Sequence, residues 1–450
     1  MSKLIRVSKG LDIKLKGAAK KVINESPMIE FFTVKPSDFH SIKTKLVKKT
    51  GDLVKAGEAI FYNKECEEMK FVSPVSGEVV EVVYGERRKV LEVKIKADED
   101  QSYLDFGRVN PVGLPEKEVI SRLLESGCWT FIKQRPYDII ADPSKKPKSI
   151  FISMHGTAPL APSYEFVLED KMRAVQAALN ALSILTDGEI HIAINHRKKH
   201  SIFKDLHYVN IHKVSGPHPS GNVSTLISKI DPINKGEVVW TIQPQDLVII
   251  GELFLSGKYQ AEKTIAITGA MVKEPCYYTT KIGASLETLL KGKLTGANAR
   301  VISGNVLTGN NEGIKGSLRH YHDAITVIPE GDDYEIFGWL KPVANKVSIT
   351  RSFTFSWLFP KRKFNLNTNT NGEERAFVIT GHYEKVFPLD IYPMQLLKSC
   401  LYEDLDEMES IGMYEVAPED FALTEFVCIS KQPHQEIVRK GLDLMLKEIG

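Results

Sequence analysis

The sequence lacks any apolar run approaching the roughly 18 residues that a membrane-spanning helix requires. Its N-terminus also lacks the apolar core of a signal peptide. The formal net charge of +2 is far below the strongly basic balance of a general nucleic-acid binder. We therefore expect no transmembrane segment, no nucleic-acid partner, and a chain that is cytoplasmic or attached to a membrane only through partners.

Cysteine is scarce, and its positions exclude the usual cysteine-based sites. The five cysteines are odd in number and far apart, so they do not form a disulfide framework. No Cys-x-x-Cys occurs, so zinc ribbons and iron–sulfur clusters have no ligand set. His196 and His200 have the spacing of metal ligands, but the basic loop around them would repel a cation, and we expect no metal site.

Glycine-rich phosphate loops are missing as well. A short apolar strand predicted at 149–153 leads into residues 154–162, which contain one glycine and two prolines. A dinucleotide site requires G-x-G-x-x-G at such a turn, because only glycine lets the backbone close on a phosphate. Bound NAD is therefore not expected here.

What is present is the composition of a globular protein, with 42% hydrophobic and 26% charged residues. Residues 28–96 carry β signals, with turn pairs at Gly51-Asp52 and Ser76-Gly77 and an alternating strand at 90–95. The order of these motifs resembles the lipoyl/biotinyl carrier fold. Because Cys66 stands where a carrier has its modified lysine, we predict an unmodified barrel-sandwich hybrid, with a true carrier as the alternative.

The rest of the chain divides by hydrophobic pattern. Residues 149–260 alternate strands with a helix at 170–186, which predicts a doubly wound α/β unit. Residues 261–310 read as strand, turn, strand, helix and strand, which suggests a ubiquitin-like β-grasp module. Residues 386–450 are helical, with an apolar stripe that ends at Gly412. The apolar run 353–359 precedes three cations and either docks on a partner or anionic headgroups, or forms a buried strand with a charged turn.

The segment 126–137 stands out because of what replaces glycine there. A helix begins near Pro115 and ends at Gly127, where a phosphate loop would be expected to follow. The chain instead supplies Trp, Phe, Arg, Pro and Tyr. Such a flat aromatic surface with one fixed cation suits a planar, weakly polar ligand better than a nucleotide. The alternative is that Trp129 and Phe131 are ordinary core residues.

An ordered set of short motifs runs along the whole chain. They are Lys9-Gly10-Leu11-Asp12, Ser73-Pro74-Val75-Ser76-Gly77, Glu125-Ser126-Gly127 with Trp129, Gly216-Pro217-His218-Pro219, Arg351-Ser352-Phe353, Thr368-Asn369-Thr370-Asn371-Gly372 and Tyr383-Glu384-Lys385-Val386. With these motifs in this order, the chain resembles the NqrA family, one of the subunits of the bacterial sodium-translocating NADH:quinone reductase, over essentially its full length.

That family is similar in domain plan to two flavin-linked proteins, the NADH-binding flavoprotein subunit of respiratory complex I and the C subunit of the Rnf complex. Those relatives hold FMN in a glycine-rich loop, whereas residues 128–137 here contain no glycine. Their C-terminal helices carry paired cysteine motifs for iron–sulfur clusters, whereas Cys428 here stands alone. The resemblance implies that this chain carries no flavin and no cluster.

The resemblance also implies a function. The complex oxidises NADH on a different, flavin-bearing subunit, reduces ubiquinone or menaquinone, and exports sodium through its membrane subunits. The NqrA-like chain would then be a peripheral protein on the cytoplasmic face of the bacterial inner membrane that contributes to quinone binding. The candidate quinone-binding residues are Trp129, Phe131, Lys133, Arg135, Tyr137 and His155. The rings would stack on the quinone, the cations would bind its carbonyls, and His155 would deliver a proton.

Two other functions stay open at this point. One is a non-catalytic scaffold that docks on the membrane subunits of the same complex, and the other is a free-standing flavoenzyme. The expected architecture is an α/β multidomain protein. Its predicted parts are a barrel-sandwich hybrid (1–105), a Rossmann-like α/β domain without the flavin loop (106–260), an SLBB-like β-grasp module (261–330), an irregular β/loop segment (331–375) and a helical domain without a cluster (376–450).

Overall fold

The structure is a computed structural model that describes residues 4–198, 201–331, 346–347 and 357–450. His200 of the basic loop lies outside the described residues. The Arg351-Ser352-Phe353 motif and the first part of the predicted apolar run, residues 353–356, lie outside them too.

In the described residues, nine strands come first, a mixed stretch of strands and helices follows, and five helices come last. The strands are β1 (Leu4–Arg6), β2 (Ile23–Asn24), β3 (Phe31–Val34), β4 (Thr44–Leu46), β5 (Leu53–Val54), β6 (Ala59–Asn63), β7 (Cys66–Val72), β8 (Gly77–Tyr84), β9 (Val90–Ala97), β10 (Lys133–Arg135), β11 (Ile139–Ile140), β12 (Ser149–Ser153), β13 (Ile190–Asn195), β14 (Asn210–Ser215), β15 (Val239–Thr241), β16 (Glu262–Thr268), β17 (Cys276–Lys281), β18 (Ala299–Ser303), β19 (Asn310–Asn311) and β20 (Ala324–Pro329). The α-helices are α1 (Glu116–Glu125), α2 (Tyr164–Val167), α3 (Met172–Leu182), α4 (Val223–Ile230), α5 (Pro244–Ser256), α6 (Leu286–Leu290), α7 (His382–Val386), α8 (Pro393–Tyr402), α9 (Leu405–Ile411), α10 (Ala422–Val427) and α11 (His434–Glu448).

A seven-stranded sheet forms the centre of an α/β domain, in the order β1-β14-β13-β12-β15-β10-β11. Its first five strands pair in parallel, and β10 and β11 add an antiparallel edge. β12 is buried along nearly its whole length, as is typical of parallel strands covered on both faces. Helices α3 and α5 pack closely at Gly251, where a Cβ would come within 1.9 Å of the Ala174 carbonyl oxygen.

The first strand joins this sheet rather than the β structure that follows it in the chain. Leu4 pairs with Lys213 and Arg6 with Ser215, so β1 lies in the α/β sheet although the sequence-based division assigned residues 1–105 to the barrel-sandwich hybrid. The reason is that β14 would otherwise be an open edge of a parallel sheet, and β1 covers it.

Two small antiparallel sheets follow, in the orders β3-β9-β8-β5 and β4-β6-β7. Phe61 and Phe71 stack between them with 4.7 Å between ring centroids, and Val79 and Ile95 belong to the same fully buried core. Cys66, in the position of a carrier's modified lysine, begins β7 and is half-buried.

A six-stranded sheet, in the order β19-β18-β20-β16-β17-β2, contains the residues predicted as a β-grasp module. β16 pairs antiparallel with β17 and parallel with β20, and the short helix α6 lies between β17 and β18 in the chain. The amide of Thr33 on β3 donates to the carbonyl of Gly283 at 2.8 Å. The six-stranded sheet unit is therefore packed directly against the small β sheets.

The C-terminal residues form the helices α7 to α11 around a second core. Its buried side chains include Met394, Leu397, Met408, Leu442 and Met445. The apolar stripe predicted to continue to Gly412 is divided between α8 and α9, because Glu403 adopts a φ of 57° and Asp404 caps α9 by accepting the Glu407 amide at 3.1 Å. In the part of the chain that is described, no helix is both long enough and apolar enough to cross a membrane.

Candidate functional site

The chain turns sharply after α1 at Gly127, where two features of the structure require glycine. Gly127 has a φ of 76°, and a Cβ at this position would lie 2.8 Å from Cγ2 of Val72 on β7. The next four residues, 128–131, form a short 3-10 turn that is buried throughout. This turn is wedged between α1, the small β sheets and the α/β sheet.

Trp129 lies in the core and does not form part of an open surface. Its indole is fully buried, Nε1 donates to the carbonyl of Ala141 at 2.7 Å, and the ring meets Trp240 edge-on with 5.4 Å between centroids. The expectation of a flat exposed aromatic surface is wrong at this residue, because the turn directs the indole inward. The alternative interpretation, core packing, describes its position.

Phe131 is buried as well, but it stacks on a histidine from the six-stranded sheet unit. The rings of Phe131 and His320 are nearly parallel, at 12°, with centroids 4.6 Å apart. Phe39 also approaches His320 edge to face, with 4.7 Å between ring centroids. Phe131 therefore holds in place a second ring that the sequence did not single out.

Both predicted cations are engaged by protein groups. Lys133 lies with Nζ 4.4 Å from the centre of the Tyr321 ring and 3.8 Å from Oδ1 of Asp138. Arg135 is 2% exposed, and its Nη2 donates to Oε1 of Glu419 at 3.0 Å. Burial lowers the pKa of the Arg135 guanidinium, but the carboxylates of Asp138 and Glu419 raise it, and the net shift is upward. Arg135 is therefore a charged link between the α/β domain and the C-terminal helices.

Tyr137 and His155 occupy other places in the α/β domain. Tyr137 is buried in the core shared with the C-terminal helices, and burial raises its pKa. His155 follows β12, at the carboxyl edge of the parallel strands. Burial, followed by the charges of His196 and Arg197, lowers the pKa of His155 to about 4, so its imidazole is neutral near pH 7. The structure does not bring His155 to the rings of Trp129 and Phe131.

A narrow cleft lies where the turn at 128–131 meets the small β sheets and the six-stranded sheet unit, and we call it the interdomain cleft. The space that a water-sized sphere can occupy in it is about 20 Å³, so the cleft as it stands has room for about one water molecule. Its lining residues are Thr33, Val34, Lys35, Asp38, Phe39, Phe71, Val72, Pro74, Gly127, Thr130, Tyr259, Ile282 and His320. Apolar rings and a few convergent polar groups are the combination that small-molecule sites use.

His320 and Thr130 fix a hydrogen-bond donor at the wall of this cleft. The hydroxyl of Thr130 donates to the carbonyl of Gly127 at 2.7 Å and lies 3.2 Å from Nε2 of His320. Because that hydroxyl has only one proton, it can only accept from His320, which assigns the proton of the imidazole to Nε2. Burial lowers the pKa of His320 well below its ordinary value, and the charges of Lys263 and Lys133 lower it further. His320 is therefore a neutral N–H donor.

Asp38 is the acidic group of the cleft. Its Oδ1 lies 3.1 Å from Nη1 of Arg319, and its Oδ2 accepts the backbone amide of His320 at 3.0 Å. Burial raises the pKa of Asp38 to about 6, and the Arg319 charge offsets part of this rise. Lys35 at the same wall pairs with Glu312 at 2.5 Å and Glu92 at 3.0 Å. The cleft therefore has one carboxyl group that titrates near neutral pH.

A completely buried ion pair supports the cleft from behind. Lys263 Nζ lies 2.8 Å from Oδ1 of Asp246, and both side chains are 0% exposed. The same ammonium donates to the carbonyl of His320 at 2.9 Å. Burial raises the pKa of Asp246 to about 6, and the charge of Lys263 limits this rise. The pair holds the backbone of His320 in position relative to Phe131.

Sequence reasoning missed Thr130, His320, Asp38 and the Lys263–Asp246 pair. No sequence signal marked the pair, because Lys263 follows Glu262 at the start of β16 and Asp246 lies in the first turn of α5, where an acidic residue is common. Asp38 and His320 are 282 positions apart in the sequence, so no local pattern could predict their contact. It depends on the tertiary packing of β3 against the six-stranded sheet unit.

Comparisons with known proteins match the chain in three consecutive parts. Residues 5–98 match the NqrA N-terminal barrel-sandwich hybrid domain, and residues 114–259 match the NqrA second alpha/beta domain. Residues 264–312 match the NQRA C-terminal domain, an SLBB-type model. The predictions of a barrel-sandwich hybrid and of an SLBB-like module are confirmed.

The relatives that match do so over nearly the full length of the chain. The chain is 35% identical to the A subunit of the Na(+)-translocating NADH-quinone reductase of Marinomonas sp. (strain MWYL1) over 99% of its length and 100% of that protein. It is 35% identical to the protein of the same name from Vibrio atlanticus (strain LGP32), with the same coverage of both chains. Among solved structures, an NAD+-reducing NiFe-hydrogenase in the H2-reduced state is 11% identical, and the alignment covers 74% of this chain and 63% of the hydrogenase chain. Its TM-score of 0.36 is too low to support an inference.

Proposed function

The chain belongs to the NqrA family of the Na(+)-translocating NADH-quinone reductase, and from this premise we propose that it binds the quinone of the complex in the interdomain cleft. The observation that carries the proposal is the neutral His320 N–H, which Thr130 holds at the wall of a cleft with aromatic sides and for which a quinone carbonyl would compete as acceptor. A quinone needs a flat apolar environment for its ring and donors for its two carbonyl oxygens.

The groups of the cleft divide these tasks. Phe39 and Phe71, which meet edge to face at 4.5 Å, offer the ring its apolar wall. The Nε2–H of His320 donates to one carbonyl when that oxygen replaces the Thr130 hydroxyl as its acceptor. Because the cleft is narrow, the two walls must move apart as the ring enters. Asp38, with a pKa of about 6, is the group we assign to proton delivery when the quinone is reduced.

Some of the residues predicted from the sequence lie next to His320, and others lie in the core behind the turn. Phe131 positions His320 by stacking on it, and Lys133 holds Tyr321 beside it. Trp129, Arg135 and Tyr137 support the turn from the core, and direct quinone contact by them or by His155 requires a rearrangement. We propose that the α/β domain is Rossmann-like without the flavin loop, and that the chain holds neither flavin nor cluster, NADH being oxidised on another subunit.

Photo-crosslinking with a quinone analogue tests the proposal on the full chain. Labelled peptides are expected from residues 33–39, 71–74, 127–131 or 320, and excess short-chain ubiquinone should abolish the label. A label confined to the C-terminal helices, or one that excess quinone does not displace, would contradict the proposal.

The burial of Trp129 and Arg135 favours a second candidate function, a scaffold on the cytoplasmic face of the inner membrane that docks on the membrane subunits. Under this function, closing the cleft by substitution of Phe39 would leave the quinone reductase activity of the assembled complex unchanged. Under the quinone function the same substitution lowers that activity, while the amount of assembled complex stays the same.

A further inference from the structure

Three consecutive large apolar side chains are exposed at the start of the last described segment. Trp357, Leu358 and Phe359 are 61%, 51% and 60% exposed. Pro360 follows, and then Lys361, Arg362 and Lys363, all of which are exposed. Single exposed apolar residues are common on protein surfaces, but three in a row beside three cations indicate a surface that contacts something else.

A second segment adds cations to the same surface. Leu15 pairs with Phe364 in a parallel bridge, in which the Phe364 amide donates to the Lys14 carbonyl at 2.8 Å and the Lys16 amide donates to the Phe364 carbonyl at 2.9 Å. Leu15 is buried, so the alternation of side chains along an extended segment directs Lys14 and Lys16 outward, and both are exposed. Lys14 Nζ also donates to the carbonyl of Pro360 at 2.7 Å.

We call this surface the basic–apolar patch. It consists of Lys14, Lys16, Trp357, Leu358, Phe359, Lys361, Arg362 and Lys363. None of its five cations forms an ion pair with a carboxylate of the residues that the structure describes. Asp12, the nearest acidic residue along the chain, is engaged by the backbone amide of His218 at 2.9 Å. The five cations of the patch therefore lie next to its apolar side chains without an ion-paired carboxylate among the described residues.

We propose that the basic–apolar patch binds the anionic phospholipid surface of a membrane. The cations match phosphate headgroups in charge, and Trp357 with its two apolar neighbours matches the interfacial layer, where aromatic side chains are favoured. A protein partner fits less well, because charged residues are depleted from the centre of protein interfaces. This inference does not depend on quinone binding.

Vesicle sedimentation of the purified full chain tests the proposal. Binding is expected to vesicles in which roughly a third of the phosphatidylcholine is replaced by phosphatidylglycerol, to weaken with added salt, and to be absent on phosphatidylcholine alone. Each cation removed should lower the partition coefficient about fivefold. The triple substitution Lys361→Gln, Arg362→Gln, Lys363→Gln should therefore lower it about 100-fold.

A matched control is available on another surface. Arg87, Arg88 and Lys89 are three consecutive exposed cations in the hairpin between β8 and β9. Their replacement by Gln changes the net charge equally and should leave vesicle binding within about twofold of wild type, since they lie outside the patch. Equal losses in the two triple variants would overturn the proposal, because they would show that only net charge matters.

Fluorescence quenching gives an independent readout at Trp357. Brominated phosphatidylcholine in the anionic vesicles should quench the tryptophan emission of wild type, and Trp357→Phe should abolish most of that quenching. No quenching in wild type, or no vesicle binding at all, overturns the proposal. Binding only to purified membrane subunits in a neutral bilayer, with the same dependence on Lys361 to Lys363, overturns it in favour of a protein partner. Quinone affinity of the triple variant should stay at the wild-type value, so the failure of one proposal is distinguishable from that of the other.

Discussion

Replacing His320 with Phe is the most direct perturbation of the proposed quinone site. Phe keeps a ring that can stack on Phe131 and meet Phe39, but it removes the Nε2–H that faces the Thr130 hydroxyl. One neutral hydrogen bond contributes about 1 kcal/mol net, so we expect the dissociation constant of a short-chain quinone to rise about fivefold to tenfold. The free energy of unfolding should fall by about 1 kcal/mol, because one hydrogen bond is lost. The loss stays small because Thr130 keeps its bond to the Gly127 carbonyl.

The C-terminal helices provide a closely matched control. His434 is fully buried, its Nδ1 lies 2.9 Å from the hydroxyl of Thr424, and it meets the ring of Tyr383 at 4.9 Å. His434→Phe therefore removes the same kind of contact far from the cleft and should cost a similar amount of stability.

The assay is isothermal titration of both variants and wild type with short-chain ubiquinone, after urea unfolding has established that each variant is folded. The prediction requires a weaker quinone affinity for His320→Phe alone. If both variants keep the wild-type affinity, the cleft is not the quinone site, and the reasoning from its geometry is refuted. If both lose affinity equally, the loss reflects general destabilisation.

Three further predictions concern stability, each measured by urea unfolding. Burial raises the pKa of Asp38 from 3.8 to about 6, so its protonated form favours folding and this contribution is lost as pH rises through that range. The free energy of unfolding of Asp38→Asn should therefore rise by about 2 kcal/mol relative to that of wild type between pH 4 and pH 7. Parallel pH profiles of the two proteins would contradict this. Gly127→Ala should lower the free energy of unfolding by about 2–4 kcal/mol, because its added Cβ meets a side chain at 2.8 Å. Gly113 has a φ of 84° with open space around it, so Gly113→Ala should lower the free energy of unfolding by only about 1 kcal/mol. Equal losses in the two variants would count against the steric argument. Lys263→Met should lower the free energy of unfolding by about 3–5 kcal/mol, because it leaves the buried Asp246 carboxylate unpaired. Adding Asp246→Leu should recover most of that loss. A double variant as unstable as Lys263→Met would argue against the ion-pair explanation.

The elements with strong local patterns could be predicted from the sequence. The first strand expected within 261–310 corresponds to β16. The helix expected at 170–186 corresponds to α3, which begins later because residues 169–171 form a separate 3-10 turn and which ends earlier, at Leu182. The apolar stripe of the C-terminal helices was located correctly, but its break at Glu403 was missed, because a left-handed glutamate leaves no sign in the hydrophobic pattern. Periodicity reports which face of an element is buried and not where a chain reverses.

The segment that the sequence singled out, 126–137, reaches the interdomain cleft only in part. Gly127 and Thr130 line the cleft. The direction in which the rings of this segment point depends on the left-handed conformation of Gly127 and on contacts with Val72 and Trp240, which lie far away in the sequence. His320 could not be assigned to the site, because its role depends on the packing of three separate parts of the chain.

The position of β1 has a consequence for how the protein matures during synthesis. The partners of residues 4–6 on β14 follow about 200 residues later in the chain, so β1 must wait while most of its sheet is still being made. A chain shortened at its N-terminus would present β14 as a bare edge with unpaired amides and carbonyls. Such a chain should assemble its remaining domains and then self-associate through that edge.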